Sequence, residues 1–227
     1  MPIRIPHLGL AIYTSPKVLS TSLKYLAFEL ENDRPFDDFV IAGRQVHVHS
    51  FYPAERFKPV NKSEYPHVVA FVRDPVKRFV SMFRHRVAIK HGQSAEAWRK
   101  AIQNGLPESP SFSDFLARFD DYSSQIEEIR HHAAPQVEYL GSDAEFYNRI
   151  FTEQSVSQFE QFIQGITGQS LRLPWEHKSA NYVPVSLDNA NLAWIRERYL
   201  EDYETFEDYF SPNTSISGLG LPNCRGN

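Results

Sequence analysis

Two apolar runs stand out of the polar background of this chain, and each leads into a stripe of apolar residues at helical spacing. In the first, Leu8, Leu10, Ala11 and Ile12 give way to Thr14-Ser15-Pro16-Lys17 and the hydroxyl cluster Ser20-Thr21-Ser22, after which Leu23, Leu26, Ala27 and Leu30 recur on one helix face. The pattern predicts strand, tight loop and helix, with Ser20 or Thr21 placed to cap the helix through its side-chain oxygen. The second run, His67 to Val72, is rich in β-branched residues and predicts a central parallel strand. Arg73 ends it, Asp74 is a natural N-cap and Pro75 a natural first helical residue. Val76, Phe79, Val80, Phe83 and Val87 then form one apolar face, with Lys77, Arg78, Ser81, Arg84 and His85 opposite.

Between the two runs, Phe39-Val40-Ile41 is followed by strict alternation across Arg44–Phe51. This predicts a strand with Val46 and Val48 on one face and His47 and His49 on the other. Residues 52–66, punctuated by Pro53, Pro59 and Pro66, read as loop. Downstream come helical patterns over Ala95–Asn104 and Ser111–Phe119, a polar turn at His131–Gln136 and a short apolar stretch at Val137–Leu140. Arg149-Ile150-Phe151 reads as a strand edge, and Val156–Ile166 as a helix ended by Gly165 or Gly168. A loop carrying Pro174, Trp175, His177, Lys178, Ser179 and Tyr182 precedes a last helix near Leu187–Tyr199 with an acidic continuation to Phe210. Strands alternating with helices predict an α/β fold, a parallel sheet flanked by helices, in one domain over residues 1–210, with 211–227 as a flexible tail.

Composition narrows the function. The 227 residues are 41% hydrophobic and 14% aromatic, enough for a substantial core. A formal charge of −4 argues against nucleic acid or a membrane surface as the main partner. No apolar run approaches membrane-spanning length and no secretory leader pattern opens the chain, so a cytoplasmic protein without stable membrane insertion is expected. The single cysteine, Cys224, suits a reducing compartment. No pattern in the chain speaks to oligomeric state.

The chemistry concentrates where an open parallel sheet binds ligands, at the carboxyl ends of its strands. Three polar sets fall there: Lys17 with Ser20, Thr21 and Ser22; His47 with His49; and Arg73 with Ser81. A helix start offers outward N–H groups and the positive end of the dipole, so the first set reads as a phosphate grip. It is not a Walker A loop, because Pro16 to Lys24 contains no glycine. Cysteine ligands for a structural zinc are lacking, and two histidines are too few.

These segments resemble the PAPS-dependent sulfotransferases (PAPS is 3′-phosphoadenosine 5′-phosphosulfate). Pro16-Lys17-Val18-Leu19-Ser20-Thr21-Ser22 is similar to the family's 5′-phosphosulfate loop, and Phe71 to Ser81 (FVRDPVKRFVS) to its 3′-phosphate motif. Pro135-Gln136, Phe151–Phe162 and Tyr199–Phe206 are similar to the carbohydrate branch, Golgi-type and uronyl 2-O-sulfotransferase-like, and its bacterial relatives. The resemblance implies that Lys17 stabilises leaving-group charge, that Ser20, Thr21 and Ser22 hold the 5′-phosphate, and that Arg73 and Ser81 bind the 3′-phosphate. It offers two histidines as general base. His49 ends an H-x-H pattern like that of the uronyl enzymes. His132 matches the first residue of an H-W-x-P-Q motif in which Ala133 replaces the tryptophan. A sulfuryl group carries fewer ionisable oxygens than a phosphoryl group, so positioning plus one cation is expected to suffice, with no metal. The implied acceptor is a hydroxyl, most plainly on a sugar, with Tyr52, Arg56, Lys58, Arg84, Arg86 and Lys90 as surrounding aromatic and basic candidates. A small-molecule P-loop kinase, or a non-catalytic nucleotide- or glycan-binding protein of the same fold, are the alternatives.

Overall fold

The structure, a computed structural model, describes residues 2–89, 94–174 and 185–212. These form two compact units: the described residues of Met1–Arg73 with Pro135–Lys178, and those of Asp74–Ala134 with Ser179–Asn227. The loop residues Trp175, His177, Lys178, Ser179 and Tyr182, together with Lys90, Cys224 and the tail from 213, lie outside the described residues.

The first unit is built on a four-stranded sheet. Strands β1 (Ile3–Ile5), β2 (Leu10–Thr14), β5 (His67–Phe71) and β6 (Arg149–Phe151) lie in that order. β1 runs antiparallel to β2, whereas β2, β5 and β6 are mutually parallel, Leu10 facing His67 and Thr14 facing Phe71. Alternation along the strands decides what each face buries. Leu10, Ile12, Val69, Phe71 and Phe151 pack with Leu23, Leu26, Ala27 and Leu30 of α1 (Ser20–Asn32) and with Phe159 and Ile163 of α8 (Val156–Thr167). Tyr13 points the other way, into Phe57, Phe146 and Tyr147, and its hydroxyl donates to the Lys58 carbonyl at 2.8 Å. Gly9 makes the turn into β2 with φ +56°, where a Cβ would meet Pro66 Cδ at 2.8 Å. The helix α7 (Val137–Leu140) falls on the apolar stretch, and α8 ends at Gly168 in the left-handed region.

The predicted histidine strand is not a strand. Only β3 (Phe39–Ile41) and β4 (Arg44–Val46) pair, as a hairpin separate from the main sheet, turning on Ala42 and Gly43 with both φ positive. Beyond Val46 the chain leaves the pairing register. Val48 is buried against Phe28 and Phe36, and the Val48–Ser50 segment closes into a 3₁₀ turn. Nδ1 of His47 accepts from the His49 amide at 3.4 Å, and the two rings stack 4.9 Å apart. His47 and His49 thus share one side through a turn, not through strand alternation.

In the second unit Asp74 caps α2 (Pro75–Met82) by accepting from Lys77 N at 3.0 Å, with Pro75 at the first position. The stripe Val76, Phe79, Val80, Phe83 and Val87 is buried, the last two within a π-helical segment, Phe83–Ala88. Around it pack α3 (Ala95–Gln103), α4 (Phe112–Ala117), α5 (Phe119–Gln125), α6 (Glu127–Ala133) and α9 (Asn189–Arg198). They contribute Trp98, Phe112, Phe115, Phe119, Tyr122, Ile129 and Ile195. The chain then turns through α10 (Leu200–Thr205).

The expected polar turn at His131–Gln136 begins as helix instead, with His131 and His132 in α6. Arg78, which the pattern sets opposite the apolar stripe, is fully buried. The carboxyl end of α6 needs donors for its last carbonyls. Arg78 supplies them, Nη1 to His132 O at 3.2 Å and Nη2 to Ala134 O at 2.7 Å, with its guanidinium 5.2 Å from the Tyr199 ring centroid. The Tyr199 hydroxyl donates to Ala133 O, and burial pushes its pKa up to about 12. Replacing Arg78 by Leu removes both guanidinium bonds from buried carbonyls, at about 1–3 kcal/mol each. A loss of about 2–6 kcal/mol in chemical denaturation is expected; a loss under 1 kcal/mol would show that water replaces these bonds.

Candidate active site

The loop after β2 takes its shape from backbone strain. Lys17 and Leu19 both have positive φ, 70° and 52°, a region that costs a non-glycine residue roughly 1–3 kcal/mol. The Thr14 hydroxyl ties the loop shut by donating to Val18 O at 2.6 Å. Leu19, in the left-handed region, is the N-cap of α1, and it makes no side-chain cap bond. The expectation that Ser20 or Thr21 caps the helix is therefore wrong. A side-chain cap needs β-region backbone at that position, and here helical geometry already starts at Ser20. Ser20, Thr21 and Ser22 form the first helical positions instead. The first helical backbone bond runs from Leu23 N to Leu19 O, so the amides of Ser20 and Thr21 project from the helix end, an anion-binding arrangement.

Arg73, one residue past Val72 at the end of the neighbouring parallel strand, reaches this loop. Its Nη1 donates to Lys17 O at 3.0 Å, and its Nε lies 3.1 Å from Glu153 Oε2 as an ion pair whose angle is too poor for a hydrogen bond. Its backbone is clamped by fully buried Gln136, which accepts from Arg73 N at 3.0 Å and donates to Arg73 O at 2.9 Å. Gln136 thus acts as one more strand partner where the β5–β6 ladder runs out.

His49 sits over the start of α1. Its Nε2 lies 3.2 Å from Thr21 Oγ1 and its Nδ1 2.7 Å from Lys24 Nζ. Lys24 is 3% exposed, and burial lowers its pKa from 10.5 to about 8. His132, in the second unit, is held differently. Arginine can only donate, so the contact of 2.8 Å from Arg86 Nη2 makes Nε2 the acceptor and leaves the proton on Nδ1, which donates to Glu128 O at 2.7 Å. Burial pulls the Arg86 guanidinium below its ordinary pKa, and the Glu128 carboxylate works against that. Ser81 is half-buried on α2 in the second unit.

The first unit therefore brings together Lys17, Ser20, Thr21, Ser22, His49 and Arg73. Of the acceptor candidates, Arg56 pairs with Glu138 at 2.9 Å, Lys58 with Glu55 at 3.6 Å, and the Tyr52 hydroxyl donates to Glu31. Sequence reasoning missed Lys24 and Glu153. A visible signal for Lys24 was its position: it follows Thr21 by three residues and precedes Phe28 by four, a cation set against the apolar stripe. Glu153 carried no such signal. Among the described residues no group of three or more His, Cys, Asp or Glu side chains could hold a metal ion, and no helix is long and apolar enough to cross a membrane.

A mostly parallel sheet flanked by helices, with a glycine-free loop ahead of a helix start that bonds an arginine following the adjacent parallel strand, defines an α/β protein without a Walker motif. The family itself follows from comparison: the sequence model of the sulfotransferase family matches residues 5–210, and the chain belongs to that family, whose members transfer sulfuryl groups. No curated protein and no solved structure matches the chain.

The buried lysine makes stability depend on pH. The unfolded chain keeps this proton up to about 10.5 and the folded chain only up to about 8, so the folded state is penalised below pH 8 and relieved as pH rises toward 10.5. Above pH 10, Tyr13 and Tyr199, both raised to about 12 by burial, act oppositely. Between pH 7.5 and 9.5 the unfolding free energy of the wild type should therefore rise by about 2 kcal/mol relative to Lys24→Met. Parallel denaturation curves for the two proteins across that range would contradict it.

Proposed function

We propose that the chain is a PAPS-dependent sulfotransferase acting on an acceptor hydroxyl, on a sugar, with His49 as general base. The observation that carries this reading is the bond from Arg73 Nη1 to Lys17 O, which joins the two segments that match the donor-binding motifs. In the reading, the outward amides and hydroxyls of Ser20, Thr21 and Ser22 take the 5′-phosphate and Arg73 the 3′-phosphate. Ser81's share in holding the 3′-phosphate rests on the motif alone. Lys17 neutralises the phosphate oxygen that leaves.

The acceptor oxygen attacks sulfur in line as the bond from sulfur to the phosphate oxygen breaks. That oxygen keeps the electron pair, giving 3′-phosphoadenosine 5′-phosphate (PAP), and the hydroxyl proton passes to His49 Nε2. The choice of His49 over His132 is supported by hydrogen bonding: the basic nitrogen of His132 already accepts from Arg86, whereas Nε2 of His49 lies 3.2 Å from the Thr21 hydroxyl, a partner that can either donate to it or accept from it. The positive charge of Lys17 and the helix start supports sulfuryl transfer without a metal. The single cysteine fits work in the cytoplasm.

The test is transfer of labelled sulfate from PAPS to a panel of sugars in the presence of EDTA. Transfer should survive the chelator and fall about a hundredfold or more in His49→Ala, with a much smaller loss in His132→Ala. Equal small losses in both variants would remove the assignment of the base. Phosphate transfer from ATP, with none of sulfate from PAPS, would remove the function.

A further inference from the structure

We propose that Lys24 is a positioning residue that governs which nitrogen of His49 carries the proton, and so makes the base a pH-gated one; this rests on the reading of His49 as base.

The geometry sets Lys24 against the imidazole. It stands one helical turn after Thr21 on α1, and the two side chains bracket one imidazole, Thr21 on Nε2 and Lys24 on Nδ1. The Nζ–Nδ1 distance of 2.7 Å is that of a strong hydrogen bond, and the amine is buried. An ammonium has only donors, so when Lys24 is charged it must donate to the Nδ1 lone pair. The imidazole proton then resides on Nε2, and that nitrogen cannot accept a proton from a hydroxyl. An amine has a lone pair and accepts from Nδ1–H, which leaves the Nε2 lone pair facing Thr21 and any hydroxyl brought beside it. It also spares the imidazolium that forms during transfer from standing against a second positive charge.

Burial brings this exchange into reach of ordinary conditions, since it lowers the Lys24 pKa to about 8. Other ionisable groups lie on the turn that carries His49, on α1 and on the loop before α1. His47 stacks on His49 and carries Tyr25 OH at 3.2 Å and Asp38 Oδ2 at 3.9 Å from its Nε2. Glu31 lies further along α1 with Tyr52. Lys17 lies on the loop before the helix.

The experiment reads the tautomer directly, in the full chain labelled with ¹⁵N-histidine. Imidazole resonances of His49 are identified by their loss in His49→Gln and followed from pH 6.5 to 9.5. Wild type should pass from the Nε2–H to the Nδ1–H form as pH rises through about 8. Lys24→Arg, charged throughout, should stay in the Nε2–H form, and Lys24→Met should show no transition in this range. Turnover of PAPS should rise with pH through the same transition in wild type and be lower by about tenfold or more in Lys24→Arg at pH 9, with KM for PAPS unchanged.

A His49 tautomer that ignores both pH and the two substitutions overturns the proposal, whether or not the protein folds more weakly without its lysine. Calorimetry with PAP separates the two claims. If the tautomer switches as described but PAP does not bind, the sulfotransferase reading fails alone. If PAP binds and the tautomer does not move, the gate fails alone.

Discussion

The hydrogen bond from Arg73 to the carbonyl of Lys17 joins residues 56 positions apart, and the arrangement of the candidate site depends on it. It exists because β2 and β5 are parallel neighbours, so both segments leave the sheet at the same edge. The arginine is not left to find that position by itself. Gln136 satisfies both polar groups of its backbone, and the carboxylate of Glu153 faces its guanidinium. A charged side chain fixed at both ends is an arrangement suited to anion recognition, because little rotamer entropy remains to be lost on binding.

The glycine-free loop reaches left-handed backbone without glycine. Lys17 and Leu19 occupy left-handed backbone, and the Thr14 hydroxyl and the helix that follows hold them there. The consequence is a helix start whose leading amides project outward with hydroxyl side chains beside them. Such an end attracts the charge of a phosphate or sulfate ester through both dipole and hydrogen bonds. The same helix then presents Thr21 and Lys24 to one histidine, so the helix start and the imidazole are held by a single element.

Much of this was legible in the amino-acid pattern where local rules govern. The buried strands, the Asp74-Pro75 helix start and the apolar stripe of α2 follow from periodicity and capping chemistry, and the structure has each of them. What escaped was decided by partners distant in sequence. Arg78 stands opposite the apolar stripe in the helical pattern, and its burial follows from the carbonyl end of α6 that it caps. The alternation of Val46, His47, Val48 and His49 reads as a strand until Val48 finds Phe28 and Phe36 and the chain closes into a turn. Gln136 carries no local signal for its role, since its partners are the backbone atoms of a residue 63 positions away. Lys24 on an apolar face was visible, but its meaning required the imidazole at its end.

The proposed function requires that one doubly phosphorylated adenosine be recognised by the Lys17 loop and Arg73 together. Thermal unfolding with PAP and with ATP, in the wild type and in Arg73→Ala, tests it most directly, because a ligand held only by the folded state raises the melting temperature. A clear rise with PAP, little with ATP, and loss of the PAP response in the variant are expected. Equal stabilisation by ATP and PAP, or a PAP response that survives without Arg73, would contradict it.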